Sequence, residues 1–144
     1  GGSVMGLVSL VYVSFASNNM DESGLHEILR VSRENNQAAG LTGMLLYHNR
    51  LFIQALEGEE SLVDPLFRKI CKDPRHRNVV KIFKESIRER SFGDWAMGFN
   101  TLDKSDVQDI EGYTDFLAKP NAEFFTSAPS SAKLLLRSFA RKSR

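Results

Sequence analysis

The chain has 144 residues, a formal net charge of +1 and 42% hydrophobic residues. That length is one domain with a core of its own, and the near-neutral charge argues against a nucleic-acid footprint, which needs a strongly basic face. The single cysteine, Cys71, excludes an internal disulfide and suits a reducing cytoplasm, while no apolar run approaches the roughly 18 residues of a membrane span.

The opening Gly1–Val4 reads as a tag remnant ahead of Met5, so residues 1–5 are set aside from the fold. Residues 6–17, GLVSLVYVSFAS, are rich in Val, Leu, Tyr and Phe and predict a first strand. Val8, Leu10, Tyr12 and Ser14 share one of its faces. After the turn SNNMDESG, Leu25, Ile28, Leu29, Ser32 and Asn36 recur at helical spacing, and Gly40 ends that helix. Residues 41–47 and 51–57 predict two strands joined by His48-Asn49-Arg50, a hairpin.

A second helix is expected over residues 59–72, with Leu62, Val63, Leu66, Phe67 and Ile70 inward. Pro65 conflicts with a helix interior, so the helix is expected to start late, with Asp64 as its N-cap, or to bend there. KDPRHRN stops it. VVKIFKESIRER and WAMGFNTL predict two more strands, and two terminal helices flank AKPNAEFF. The order is that of an α+β, ferredoxin-like βαββαβ sandwich with an added fifth strand and two C-terminal helices.

Four polar or soft features stand where carbon is expected: Tyr12, Gln54 in LFIQALEG, the Asn35-Asn36 pair, and Trp95-Ala96-Met97. Each alone has a plain structural reading: a rim phenol, an edge amide, a C-cap, core packing. In a ferredoxin-like sheet, however, the first and third strands are central neighbours. Tyr12 and Gln54 can then meet on the helix-covered face, with Asn36 above. Such a cluster beside apolar walls suits a planar heterocycle with an imide edge, because one carboxamide offers a donor and an acceptor together. The uracil-like end of a flavin is such an edge.

Tyr12 in LVYVS, then NNQAAGLTGMLLY, FIQALEGE, KDPRH and WAM, in this order, resemble the BLUF domain, a blue-light sensor using FAD. The likeness runs from about residue 7 to about residue 102, so residues 6–102 read as the flavin-binding domain and 103–144 as a helical cap. The resemblance implies roles. Tyr12 matches a photo-oxidised tyrosine and Gln54 a switching glutamine. Asn36 matches a ligand of the flavin C4 carbonyl and N3, and Asn35 a neighbouring contact. Lys69 and Asp73 match positions at the ring's polar edge, although Lys69 stands where other members carry Arg or His. Ile28 and Phe52 match ring-lining positions, and Met97 and Trp95 match a mobile relay pair on the fifth strand. FAD is the implied cofactor, with FMN or riboflavin possible; no metal is expected.

The mechanism implied is light-driven electron and proton transfer from Tyr12 and a hydrogen-bond switch at Gln54. The chain would be a non-enzymatic photoreceptor that signals to a separate protein partner, with self-association expected. Nucleic acid and a transmembrane segment are not expected. The end of the chain, KLLLRSFARKSR, reads as a cap helix with a basic end, a partner surface or an anionic-membrane contact. The competing functions are a flavin-free ligand-binding or dimerisation module, and an acylphosphatase-like hydrolase using Arg75, His76 and Arg77 around a phosphate.

Overall fold

The computed structural model describes residues 6–17, 22–48, 50–93, 96–101 and 136. Strand β1 (Leu7–Ala16) is followed by helix α1 (Glu22–Ala39), the hairpin β2 (Thr42–His48) and β3 (Leu51–Glu59), helix α2 (Glu60–Cys71), β4 (His76–Ser86) and β5 (Gly98–Thr101). The five strands form one sheet in the order β4-β1-β3-β2-β5. All neighbours are antiparallel except β2 and β5. This is the expected ferredoxin-like arrangement with its fifth strand at an edge.

β1 and β3 lie between other strands and are buried on both faces, hence their nearly continuous apolar sequences. Their register places Tyr12 directly opposite Gln54. β4 is an edge strand and alternates between half-buried and exposed positions, carrying Arg77, Lys81 and Lys84 outward or toward the rim. Such charges discourage edge-to-edge pairing with other chains. The β1–β4 register slips beside Tyr12, between Val11 and Tyr12 and again between Val13 and Phe15. Irregularities of this kind re-aim side chains near sites.

One sheet face carries Val8, Leu10, Tyr12, Phe52 and Leu56, which cluster with Ile28 and Leu29 of α1 and Val63 of α2. On the opposite face Ser9, Val11, Ala55 and Phe92 gather with Leu136, which is helical and buried. Apart from Leu136, the two expected terminal helices lie outside the described residues.

Local chemistry sets the boundaries. The end of α1 is a Schellman motif. Gly40 has φ +69°, its N–H bonds the Gln37 carbonyl, and the Leu41 N–H bonds the Asn36 carbonyl at 2.8 Å. The hairpin is tighter than expected. His48 pairs with Leu51 and so belongs to β2, and Arg50, just before β3, has φ +72°. α2 does not start late at Pro65; it runs from Glu60 with Pro65 inside it. The lost backbone bond is offset by burial of Val63 and the packing of Leu66, Phe67 and Ile70 on the core. β5 is shorter than WAMGFNTL suggested, so Met97 precedes the strand rather than lying on it. Among the described residues no helix is long and apolar enough to cross a membrane.

Candidate functional site

A cavity of about 400 Å³ opens between the two helices and the middle of the sheet. β1 contributes Tyr12, β3 contributes Gln54, and α1 contributes Ile28, Asn35 and Asn36. Lys69 of α2, Asp73 and Arg75 of the α2–β4 connection, and His76 at the start of β4 close the other side. Seven residues singled out from sequence therefore line one cavity: Tyr12, Ile28, Asn35, Asn36, Gln54, Lys69 and Asp73.

The Tyr12 hydroxyl donates to Gln54 Oε1. The other end of the same carboxamide, Nε2, donates to Met97 Sδ at 3.4 Å. Rotating the amide by half a turn would aim its oxygen at a thioether, which has no hydrogen to give. The observed orientation is the one in which both ends have a partner. Gln54 is only 4% exposed, so losing either partner would leave a buried polar group unsatisfied. Tyr12 is wholly buried, and that burial pushes its phenol pKa far up, with Cys71 and Asp73 adding to the shift. The proton thus stays on the hydroxyl in the resting protein.

The Schellman cap uses the Asn36 backbone carbonyl and leaves its side chain to the site. Asn36 is 1% exposed, and its Nδ2 donates to the Ala96 carbonyl at 2.6 Å. Arg33 Nε donates to the Met97 carbonyl at 3.0 Å. Residues 96 and 97 are thereby held against α1 on one side and against Gln54 on the other. Asn35 and Lys69 are exposed and stand at the cavity's outer rim.

Asp73 serves first as a turn former. Its Oδ1 accepts the Arg75 backbone N–H at 2.9 Å, an Asx-turn, and its Oδ2 lies 2.7 Å from Arg75 Nη2. Burial raises the Asp73 pKa, but the hydrogen bonds and charge of Arg75 outweigh that and hold it below the ordinary carboxylate value. This turn delivers His76 to the cavity. Its Nδ1 lies 2.8 Å from Ser14 Oγ, and its ring packs 5.2 Å from that of Phe52. Burial lowers the His76 pKa against the opposing pull of Asp73, and Arg75 adds to the lowering.

One expectation is not met in place. Phe52 does not line the cavity; it is fully buried, packed between the rings of Tyr47 and His76. Trp95 lies outside the described residues. Arg75 and His76 belong to the site but were read from sequence only as a phosphate cradle. With its guanidinium committed to Asp73, Arg75 is not a free phosphate ligand. The Asp-Pro pair was the signal for the turn that presents them.

The walls fit a flat, three-ring guest with one polar edge. Ile28 and Val31 of α1 face Leu66 and Ile70 of α2 across the cavity, while carboxamides and a phenol lie at its floor. A family model described as sensors of blue-light using FAD matches residues 7–98. The chain belongs to the BLUF family. A BLUF relative, the photoactivated adenylate cyclase subunit alpha of Euglena gracilis, is 40% identical over 87 residues, 60% of this chain and 8% of that protein. The chain therefore spans under a tenth of that cyclase's length. Among solved structures, the BLUF protein BlrB in its dark state is 32% identical with a TM-score of 0.77, covering 95% of this chain and 97% of BlrB. BlsA in its photo-activated state is 29% identical with a TM-score of 0.78, covering 93% and 94% of the two chains.

Proposed function

We propose that this BLUF chain senses blue light through a phenol–carboxamide switch at the floor of the inter-helix cavity, and passes the change to a second protein. The supporting observation is the buried hydrogen bond from Tyr12 to Gln54, at the wall of a cavity of about 400 Å³. FAD is the proposed guest. When bound, the flavin supplies the light absorption and, once excited, a strong oxidant. Ile28 and the apolar face of α2 hold its rings, and Asn36 offers a donor and an acceptor to its imide edge. Asn35 and Lys69 stand where its polar rim would emerge.

Tyr12 is the electron and proton donor of this reading. Its hydroxyl proton already points at Gln54 Oε1. If the electron and the proton both passed to the bound flavin, the amide oxygen would lose its donor and the amide would be free to pair anew, and their return would restore the Tyr12 hydroxyl. Turning Nε2 away from the weak sulfur acceptor of Met97 toward a carbonyl edge exchanges a poor hydrogen bond for a better one. An added donor at that edge shifts absorption to the red. Two amide arrangements close in energy make the bistable element a sensor requires.

The switch is tied to an exit. Gln54 touches Met97, while Asn36 and Arg33 hold the backbone of residues 96–97. A change at Gln54 therefore bears on the segment that leads into β5. The receiver is a separate protein chain, reached in the cytoplasm, with self-association of the sensor as a second outlet.

The test is an absorption spectrum of the flavin-loaded protein before and after blue illumination. A red shift of the flavin band that reverts in the dark is expected. A protein that stays colourless after incubation with FAD, or one whose bound flavin spectrum does not move, overturns the reading.

A further inference from the structure

Met97 is buried, yet the pairing of β2 with β5 begins only at Gly98, so the strand ladder does not fix it. Other contacts do. Its sulfur accepts from Gln54 Nε2, and its methyl lies against the bare backbone of Gly43, where an added Cβ would come within 3.4 Å of it. Its carbonyl is held by α1, through the bond from Arg33 Nε at 3.0 Å. Two arginines of that helix behave differently. Arg30 commits its guanidinium to Glu27 and Glu34 of its own helix, an arrangement of exposed neighbours. Arg33 forms no ion pair among the described residues and reaches instead to a carbonyl 64 positions further along the chain. It is also absent from the wall of the inter-helix cavity.

We infer that Arg33 is a positioning residue of the switch: it anchors Met97 where the resting Gln54 amide finds its acceptor, and so sets how fast the resting arrangement returns after light. The inference rests on the sensor reading of Tyr12 and Gln54 and extends it to the lifetime of the lit state. A thioether is a weak acceptor and guides an amide only while it stays in place. A guanidinium on the adjacent carbonyl holds it there with a charge-assisted bond, stronger than a neutral one. Removing that anchor leaves the photochemical pair and the cavity wall as they are. What changes is the return step, because the amide must then meet a Met97 that is free to wander, and ordering a loose side chain costs entropy.

The experiment follows the decay of the flavin red shift in the dark after blue illumination. Position 33 is an exposed helix site, where alanine preserves the helix. Arg33→Ala takes up flavin and shifts to the red as the wild type does, but returns about three- to tenfold more slowly, the span of one lost hydrogen bond. Arg33→Lys keeps a cationic donor and recovers most of the wild-type rate. Arg30→Ala, on the same helix, returns at the wild-type rate. A second readout needs no flavin. Trp95 is the single tryptophan of the chain and stands two residues before Met97 in sequence. Acrylamide quenching of its fluorescence in flavin-free protein departs from wild type in Arg33→Ala and not in Arg30→Ala. A wild-type return rate in Arg33→Ala, an equal slowing in Arg30→Ala, unchanged tryptophan quenching, or loss of flavin uptake in Arg33→Ala each overturns the inference and leaves the sensor reading intact. A wild type without a reversible red shift removes that reading and this one with it.

Discussion

Tyr12 and Gln54 occupy directly paired positions of β1 and β3, and the hydroxyl of the first donates to the amide oxygen of the second. Strand register thus fixes the geometry of the switch. A slip of one residue in either strand would send one of the two side chains to the opposite face of the sheet. The Tyr12 ring also packs against Phe67 at a centroid distance of 5.5 Å, so substitution by phenylalanine removes the hydroxyl and keeps the packing. In Tyr12→Phe, flavin uptake is expected to persist while the reversible red shift disappears. A normal light-minus-dark spectrum in that variant would exclude Tyr12 as the donor.

Gln54→Leu is expected to abolish the photocycle for a different reason. The aliphatic side chain fills the site, but the Tyr12 hydroxyl is then buried without its acceptor. That group should cost roughly 1–3 kcal/mol of folding stability. Urea unfolding followed by circular dichroism measures this cost, and difference spectroscopy measures the loss of signal. A variant as stable as the wild type with an unchanged red shift would show that the amide has no part in either.

Much of this was legible from periodicity. Alternation in β1 and β3, the helical stripe ending at Asn36 and the stop at Gly40 placed Tyr12, Gln54 and Asn36 on elements that must meet. Side chains set by turns were less legible. Arg75 and His76 look like a free basic pair in sequence; only the Asx-turn at Asp73 turns one back onto a carboxylate and the other into the cavity. Phe52 alternates with Gln54 and was expected at the cavity, yet the neighbouring rings of Tyr47 and His76 hold it below the surface. Glu57 carries a signal of its own, a carboxylate sharing a strand face with Leu51, Ile53 and Ala55.

Glu57 is 1% exposed, and its carboxylate accepts the backbone N–H groups of Ser91 at 2.7 Å and Phe92 at 2.9 Å. Arg90 adds a bond from Nη1 to the Glu57 carbonyl at 3.0 Å. This clamp fixes the β4–β5 connection to the sheet face away from the cavity. Glu57→Ala leaves two backbone donors without their acceptor, and hydrogen bonds to charged groups contribute about 1.5–3 kcal/mol each. Global stability is expected to fall by at least the lower figure, with the amides of residues 91 and 92 losing hydrogen-exchange protection ahead of those of β1. Uniform loss of protection across the sheet would contradict a local clamp.

Asn36→Ala should separate binding from switching. The Schellman cap uses only the Asn36 backbone, so α1 keeps its end. What is lost is the bond to the Ala96 carbonyl and the amide offered to the cavity. Flavin affinity is expected to drop about tenfold, the equivalent of roughly 1.4 kcal/mol, while any protein that remains loaded still shifts to the red. Fluorescence titration and difference spectroscopy on one preparation check both outcomes. Undiminished affinity would remove Asn36 from the binding site.

His76 predicts a pH dependence whose sign is fixed by its burial. Its folded-state pKa lies below the ordinary 6.5, because burial disfavours the imidazolium more than Asp73 favours it. Above pH 6.5 both the folded and unfolded chains hold it neutral, and its contribution to stability is fully present. As pH falls below that value the unfolded chain takes up a proton that the folded chain resists, so stability declines toward the folded pKa. Asp73, whose pKa is lowered from 3.8, loses its own contribution only as pH falls below that value. Urea midpoints measured at about pH 7.5 and about pH 5.5 should therefore fall between the two conditions in the wild type. In His76→Gln, which keeps a polar partner for Ser14 but cannot titrate, the difference should shrink whatever the absolute stability of the variant. An identical pH slope in the two proteins would mean that another group sets it.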